Sequence, residues 1–160
     1  MSDLKALMQH IPQRGKLEWI GIRPAKKAEL NEVEAASINV NEGLLGDHYS
    51  GQSGKRHVTL IQREHLDVVA SILGQSKVDP GLLRRNLVVS GINLLSLLDQ
   101  KVKIGEHVEL EITGRCHPCS RMEENLGSGG YSAMRGHGGV TARVINGGEI
   151  QLQDSVIHSK

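Results

Sequence analysis

Nine consecutive residues, Gly114 to Met122 (GRCHPCSRM), hold both cysteines of this 160-residue chain, a histidine between them and an arginine on each side. Thiols react and bind metals as thiolates, and positive charge nearby favours that form. This is where chemistry beyond binding is expected. A structural zinc site would need four protein ligands, often two Cys-x-x-Cys pairs. There is no second pair, so His117, His48, His57 or His137 would have to complete it. A thioredoxin-like redox site sits at the start of a helix inside an α/β fold. The Cys-His-Pro-Cys tetrapeptide and its strand-then-helix context fit that reading, but the lack of alternating βαβ units does not. A third reading makes Cys116 and Cys119 small buried hydrophobes, as free cysteines often are.

Other polar clusters stand at loop positions. Glu42 to Tyr49 (EGLLGDHY) is a glycine-bracketed loop ending in Asp47-His48. It reads either as a ligand-contacting turn or as a turn in which the Asp side chain bonds its own backbone. Arg84-Arg85-Asn86 and Arg56-His57 each precede a strand-like run. Adjacent guanidiniums at a strand entrance suit phosphate or carboxylate recognition, and the alternative is a solvated charge pair. Arg135-Gly136-His137-Gly138-Gly139 is a glycine loop whose amides could cradle an anion, or a plain connection.

The elements that must position these residues are mostly strands. Period-two, β-branched patterning predicts strands over 16–23, 33–40, 56–62, 86–90, 108–113, 139–145 and 149–157. In the first, Leu17, Trp19 and Gly21 share a face. The fourth (NLVVS) reads as buried on both faces, and the fifth points Val108, Leu110 and Ile112 inward. Arg63 to Leu73 is the main amphipathic helix, with Leu66, Val69, Ala70 and Leu73 on one face and Gly74 as its cap. Leu94 to Leu98 and Ser120 to Leu126 predict shorter turns of helix. Nineteen glycines gather mainly between the strands, and Asn146-Gly147-Gly148 signals a hairpin. The fold class is mainly β with a few helices (α+β), an antiparallel β-barrel with the main helix as plug or lid. Residues 1–15 form an N-terminal extension and 16–158 a single domain.

Composition narrows the function classes. A net charge of +1 gives no case for nucleic acid or membrane binding. Trp19, Tyr49 and Tyr131 are the sole aromatics, so the core is aliphatic and platforms for stacking single-stranded bases are not expected. The first residues show no signal peptide, no run reaches the ~20 apolar residues of a membrane span, and a cytoplasmic location follows. There thiols stay reduced.

Taken in order, these pieces resemble the MOSC domain, named for the C-terminal domain of molybdenum cofactor sulfurase. The match is carried by Gly43-Leu44-Leu45-Gly46-Asp47-His48, Val58-Thr59-Leu60-Ile61 with Glu64, and Arg84 to Ile92. It continues through Val102 to Gly105, Pro118-Cys119-Ser120-Arg121, Gly138 to Val144, and Gly147 to Ile150 with Asp154. The resemblance implies a β-barrel that binds the molybdenum cofactor (molybdopterin), with Cys119 as the molybdenum ligand; a thiolate is the soft ligand such a metal favours. It further implies cofactor contacts from Asp47, Arg56, Arg84, Asn86, Arg121, Gly138 and Gly139, with His48 as a proton donor. Cys116 lies outside the family's common pattern. The stand-alone form looks like small bacterial proteins that reduce N-hydroxylated compounds with electrons from a partner protein. No pyridoxal phosphate is expected, since the sulfurase domain that would carry it has no counterpart in this sequence. The alternative is a sulfur carrier, with a persulfide on Cys119 supplied by a cysteine desulfurase.

Overall fold

The computed structural model describes residues 3–25, 28–47 and 57–160. A short helix α1 (Leu4–Met8) leads into the long strand β1 (Arg14–Ile22), followed by β2 (Asn31–Val33), β3 (Ala35–Asn39), β4 (Gly43–Leu44) and β5 (Val58–Gln62). Helix α2 (Arg63–Leu73) and a 3-10 turn (Pro80–Leu83) connect to β6 (Leu87–Ser90). A second 3-10 turn (Leu94–Leu97) precedes β7 (Lys101–Ile104) and β8 (Val108–Arg115). Helices α3 (Ser120–Leu126) and α4 (Gly130–Met134) come next, then β9 (Val140–Asn146), β10 (Gly148–Gln151) and β11 (Ser155–Ser159).

Seven strands in the order β11-β7-β8-β9-β5-β6-β1 close into a barrel through pairing of β1 with β11, and β2 extends β1. Neighbours are antiparallel except β5 and β6, which run parallel. A parallel pair needs a crossover, and α2 with the first 3-10 turn supplies it. The inward positions of the strands fill the barrel with fully buried aliphatic side chains such as Leu17, Leu60, Leu87, Leu110 and Ile112. As expected, Val108, Leu110 and Ile112 point inward and β6 is buried on both faces.

The main helix spans the predicted residues, and Gly74 ends it in the left-handed region at φ 69°. It is neither plug nor lid. Leu66, Val69 and Ala70 pack outside the barrel, with Ile61 of β5, Val88 of β6, and Met122 and Met134 of α3 and α4, in a second hydrophobic cluster. The expected shared face of Leu17 and Trp19 is overturned by a shift in the β1–β6 register between them. An extra residue in one strand flips all that follow, so Ile20 enters the barrel and Trp19 turns out onto the second cluster.

Two expected strands are each two. Residues 33–40 and 149–157 break where the chain changes sheets, because β10, β3 and β4 form a separate three-stranded sheet. The Asn146-Gly147-Gly148 turn is therefore no hairpin. It carries the chain from β9 to β10, which pairs with β3. A side chain at Gly147 would start 2.5 Å from the carbonyl oxygen of Ile38. Among the described residues no helix is long and apolar enough to cross a membrane.

Candidate functional site

Strand alternation builds a polar row on the barrel's outer wall. Val58 and Leu60 face the core, so Thr59 between them faces out, and on β9 Thr141 is its cross-strand partner. Thr141 Oγ1 lies 2.8 Å from Thr113 Oγ1 on β8. On the other side the Thr59 amide and hydroxyl donate to Asn86 Oδ1, each at 3.2 Å. Asn86 Nδ2 donates to the Gly21 carbonyl and to Asp47 Oδ1, both at 3.0 Å, and Asp47 Oδ1 also accepts from the Arg23 amide at 2.9 Å. Both donors and both lone pairs of the Asn86 amide are thus spent inside the protein. Asn86 is a cross-brace that orients Asp47, and both are buried. The three threonines were not singled out in the sequence, although VTLIQ and VTARV each place one at an outward position.

The cysteine loop joins β8 to α3. Cys116 donates its amide to Gly139 O at 2.9 Å, extending the β8–β9 ladder by one step. Its side chain is 4% exposed. Cys119 is exposed, stands as the N-cap of α3, and makes no side-chain cap bond; neither cysteine forms a disulfide. Arg121 follows, half-buried, one residue into the helix.

Arg85 holds this loop in place. The residue is 6% exposed, and its guanidinium donates to Gly138 O at 2.7 Å, to Leu83 O at 3.1 Å, and to Cys116 O and His117 O at 3.4 Å each. Its hydrogen-bond partners are carbonyl oxygens from three chain segments. Arg84 beside it takes left-handed backbone at φ 61° and reaches Ala28 O at 3.5 Å. Gly138 and Gly139 can approach their neighbours because they lack side chains: a Cβ on Gly138 would sit 2.2 Å from Cys116 O, and one on Gly139 2.0 Å from Leu60 O.

Behind the cysteine loop, on the side of Cys116, lies an open cleft of about 420 Å³. Arg115, His117, Tyr131 and Arg135 line it together with Gly136, Gly138 and Gly139, and no carboxylate does. Next to it His137 packs edge-on against His65 of α2, ring centroids 5.3 Å apart, with His137 Nδ1 3.1 Å from Ala133 O. Burial, then the His137 ring, lowers the His65 pKa, with Glu64 opposing. His57 is lowered by burial and by Arg143, and its buried Nδ1 has no hydrogen-bond partner among the described residues.

Of the residues predicted for the site, Asp47 and Asn86 meet in the outer-wall network. Gly138 and Gly139 meet the cysteine loop. Cys119 and Arg121 stand together at the start of α3, and Arg84 adjoins the Arg85 clamp. His48 and Arg56 lie outside the described residues. Among the described residues no three His, Cys, Asp or Glu side chains gather to hold a metal ion, so the four-ligand zinc reading finds no support there.

The profile of the MOSC domain matches residues 42–157. No curated protein matches the chain. Among solved structures it is similar to the YuaD protein from Bacillus subtilis, with a TM-score of 0.81 and 19% identity, covering 94% of this chain and 100% of that one. It is also similar to YiiM from Geobacillus stearothermophilus (TM-score 0.74, 14% identity, 91% and 75% covered) and YiiM from Escherichia coli (0.68, 17%, 91% and 70%). At these identities the likeness speaks for the fold. The profile spans most of the chain, over the same Gly-Asp, Arg-Arg-Asn, Pro-Cys and Gly-Gly segments that build the outer wall and its loops, and the chain belongs to the MOSC domain family.

Proposed function

We propose that this protein binds the molybdenum cofactor through Cys119 and reduces N-hydroxylated small molecules. The observation that carries this reading is the contrast between the two thiols: Cys119 is exposed and outside any disulfide, whereas Cys116 is buried. One accessible soft ligand beside arginines suits a soft metal attached to an anionic pterin phosphate. The donor set therefore fits the group.

When bound, the cofactor would supply the two-electron couple for cleaving an N–O bond, with electrons from a separate donor protein. The chain's own residues bind and orient. Cys119 Sγ holds the metal, and Arg84, Arg121 and Arg56 offer guanidinium charge to the phosphate. Asp47 and Asn86 brace the wall beneath, Gly138 and Gly139 let the loops meet, and His48 delivers a proton.

The test is the molybdenum and pterin content of the protein purified from a host that makes the cofactor. Near-stoichiometric amounts of both, lost in Cys119→Ser, are expected. Full content in the variant would overturn the assignment.

The same exposed thiol favours a second reading, a sulfur carrier. After incubation with a cysteine desulfurase and cysteine, mass spectrometry would find one added sulfur on Cys119. Its absence, with molybdenum present, leaves the first reading.

A further inference from the structure

Helix α1 turns its apolar side to solvent. Leu4, Leu7 and Met8 share one face at three- and four-residue spacing, and they are 71%, 52% and 65% exposed. None of the helix's residues is buried. Its other side, with Ala6 and nearby Gln9 and His10, borders a groove of about 740 Å³ whose far wall includes Lys101 of β7 and Ser159 of β11. Gln100 Nε2 tethers the helix there by donating to Met8 O at 3.4 Å. A polar side toward the protein and an apolar side toward water is the reverse of an ordinary surface helix.

The barrel wall beside the helix carries exposed charge of one sign. Arg14 and Lys103 flank Ile157 in one cross-strand row of β1, β11 and β7, ~10 Å apart at ordinary strand spacing. Lys16 and Lys101 continue the row diagonally along their strands, and Lys101 reaches the groove under α1. All four are exposed, and none has a side-chain hydrogen-bond or ion-pair partner among the described residues. The carboxylates of the next strand, β8, are engaged: Glu109 accepts from the Ser159 hydroxyl at 2.6 Å, and Glu111 pairs with Arg143. The net charge of +1 averages over this segregated surface. We infer that α1 and the basic band together dock the protein on an anionic membrane surface. The apolar face of α1 enters the lipid interface, and the four cations meet the headgroups. Apolar side chains flanked by cations are the pattern of helices that lie in that interface, and basic residues are drawn to anionic headgroups. A nucleic acid would meet the band but leave Leu4, Leu7 and Met8 in water. The surface shares no residue with the Asp47–Asn86–Thr59 network or the cysteine loop, so docking is independent of the cofactor.

The experiment is co-sedimentation of the purified protein with vesicles of phosphatidylglycerol and phosphatidylcholine, against vesicles of phosphatidylcholine alone. The protein is expected to sediment with the anionic vesicles and to stay in solution with the neutral ones. Raising salt from about 0.1 M to about 1 M, which cuts the screening length from ~10 Å to ~3 Å, should release most of it. Lys101→Gln with Lys103→Gln should weaken binding roughly thirtyfold, the worth of two basic residues at an anionic surface. Leu7→Gln with Met8→Gln should weaken it roughly tenfold or more by removing apolar area from the interface. These exposed positions leave the thermal midpoint unchanged, which the same samples check. No binding to anionic vesicles, or equal binding to neutral ones, would overturn the proposal. Full binding by the lysine pair variant would overturn it as well. So would full binding by the Leu7 and Met8 variant, which is how a purely electrostatic surface for nucleic acid would behave. Analytical ultracentrifugation adds one more outcome: a dimer abolished by Leu7→Gln with Met8→Gln, without vesicle binding, would overturn the proposal and assign the apolar face to a second copy of the chain.

Discussion

Arg85 Nε donates to the carbonyl oxygen of Gly138 at 2.7 Å, and the same guanidinium bonds carbonyls of Leu83, Cys116 and His117. One buried cation thereby ties the strand entrance at β6, the cysteine loop and the glycine loop into a unit. Arg85→Met would leave these carbonyls without their donor. A loss of about 3 kcal/mol, on the scale of buried groups left unsatisfied, is expected in urea unfolding. Arg85→Lys should recover little, because an ammonium cannot spread its donors as a planar fork does.

The two thiols should report their burial directly. With a thiol-reactive disulfide reagent, Cys119 should react at once and Cys116 roughly a hundredfold more slowly, at the pace of local opening. Cys119→Ser should abolish the fast phase and change stability by no more than about 0.5 kcal/mol, as for other exposed positions. Two equal fast phases would show that Cys116 is not held as described.

Gly136 and Gly139 both have positive φ, 83° and 85°, but only Gly139 is hemmed in by backbone. Gly136→Ala should cost about 1–2 kcal/mol, the strain of left-handed backbone. Gly139→Ala adds a collision with the Leu60 carbonyl and should exceed about 4 kcal/mol, seen as loss of folded protein or a much lower midpoint.

Asn86→Asp would set a second carboxylate against Asp47 Oδ1 and remove the donor to Gly21 O. At neutral pH the expected loss is about 3–5 kcal/mol, the range for an uncompensated buried charge. Acidification, which protonates one of the two, should restore part of it. Asn86→Ala should show no such recovery.

The pH dependence of stability has two windows. His57 and His65 have native pKa values below their ordinary 6.5. Below 6.5 the unfolded chain therefore takes up protons that the native one resists, and stability falls as pH drops from 6.5 through the native values. His65→Gln should flatten this slope. Glu123 is shifted below 4.5 by the Tyr131 and Gly129 amides. Its contribution is complete above 4.5 and is lost as pH falls through its native value, a separate and more acid window.

Alternation and helix periodicity located the barrel wall and the main helix, because each depends on near neighbours in sequence. The sulfur-bearing loop was legible for the same reason: rare residues at close spacing. What pattern could not show was the β1 register shift that turns Trp19 outward, since no residue type announces it. Nor could pattern show the partner of the strand after Gly147-Gly148, which is chosen by the sheet across the molecule. Arg84-Arg85-Asn86 read as one anion-binding cluster, yet Arg85 and Asn86 are consumed by bonds mostly to groups far away in sequence. Such roles are set by tertiary approach. The Thr113–Thr141–Thr59 row likewise exists only once three strands are in register.

The seam between β1 and β11, where Arg14 faces Ile157, joins strands from opposite ends of the described fold. Closing so long a loop is entropically unfavourable, and such non-local pairing slows folding. On the ribosome the wall can be completed only after residues 155–159 emerge. Until then the edges of β1 and β7 stand open as templates for other chains. Pairing of β11 with both β1 and β7 is thus the latch that removes the two edges an incomplete barrel wall would expose.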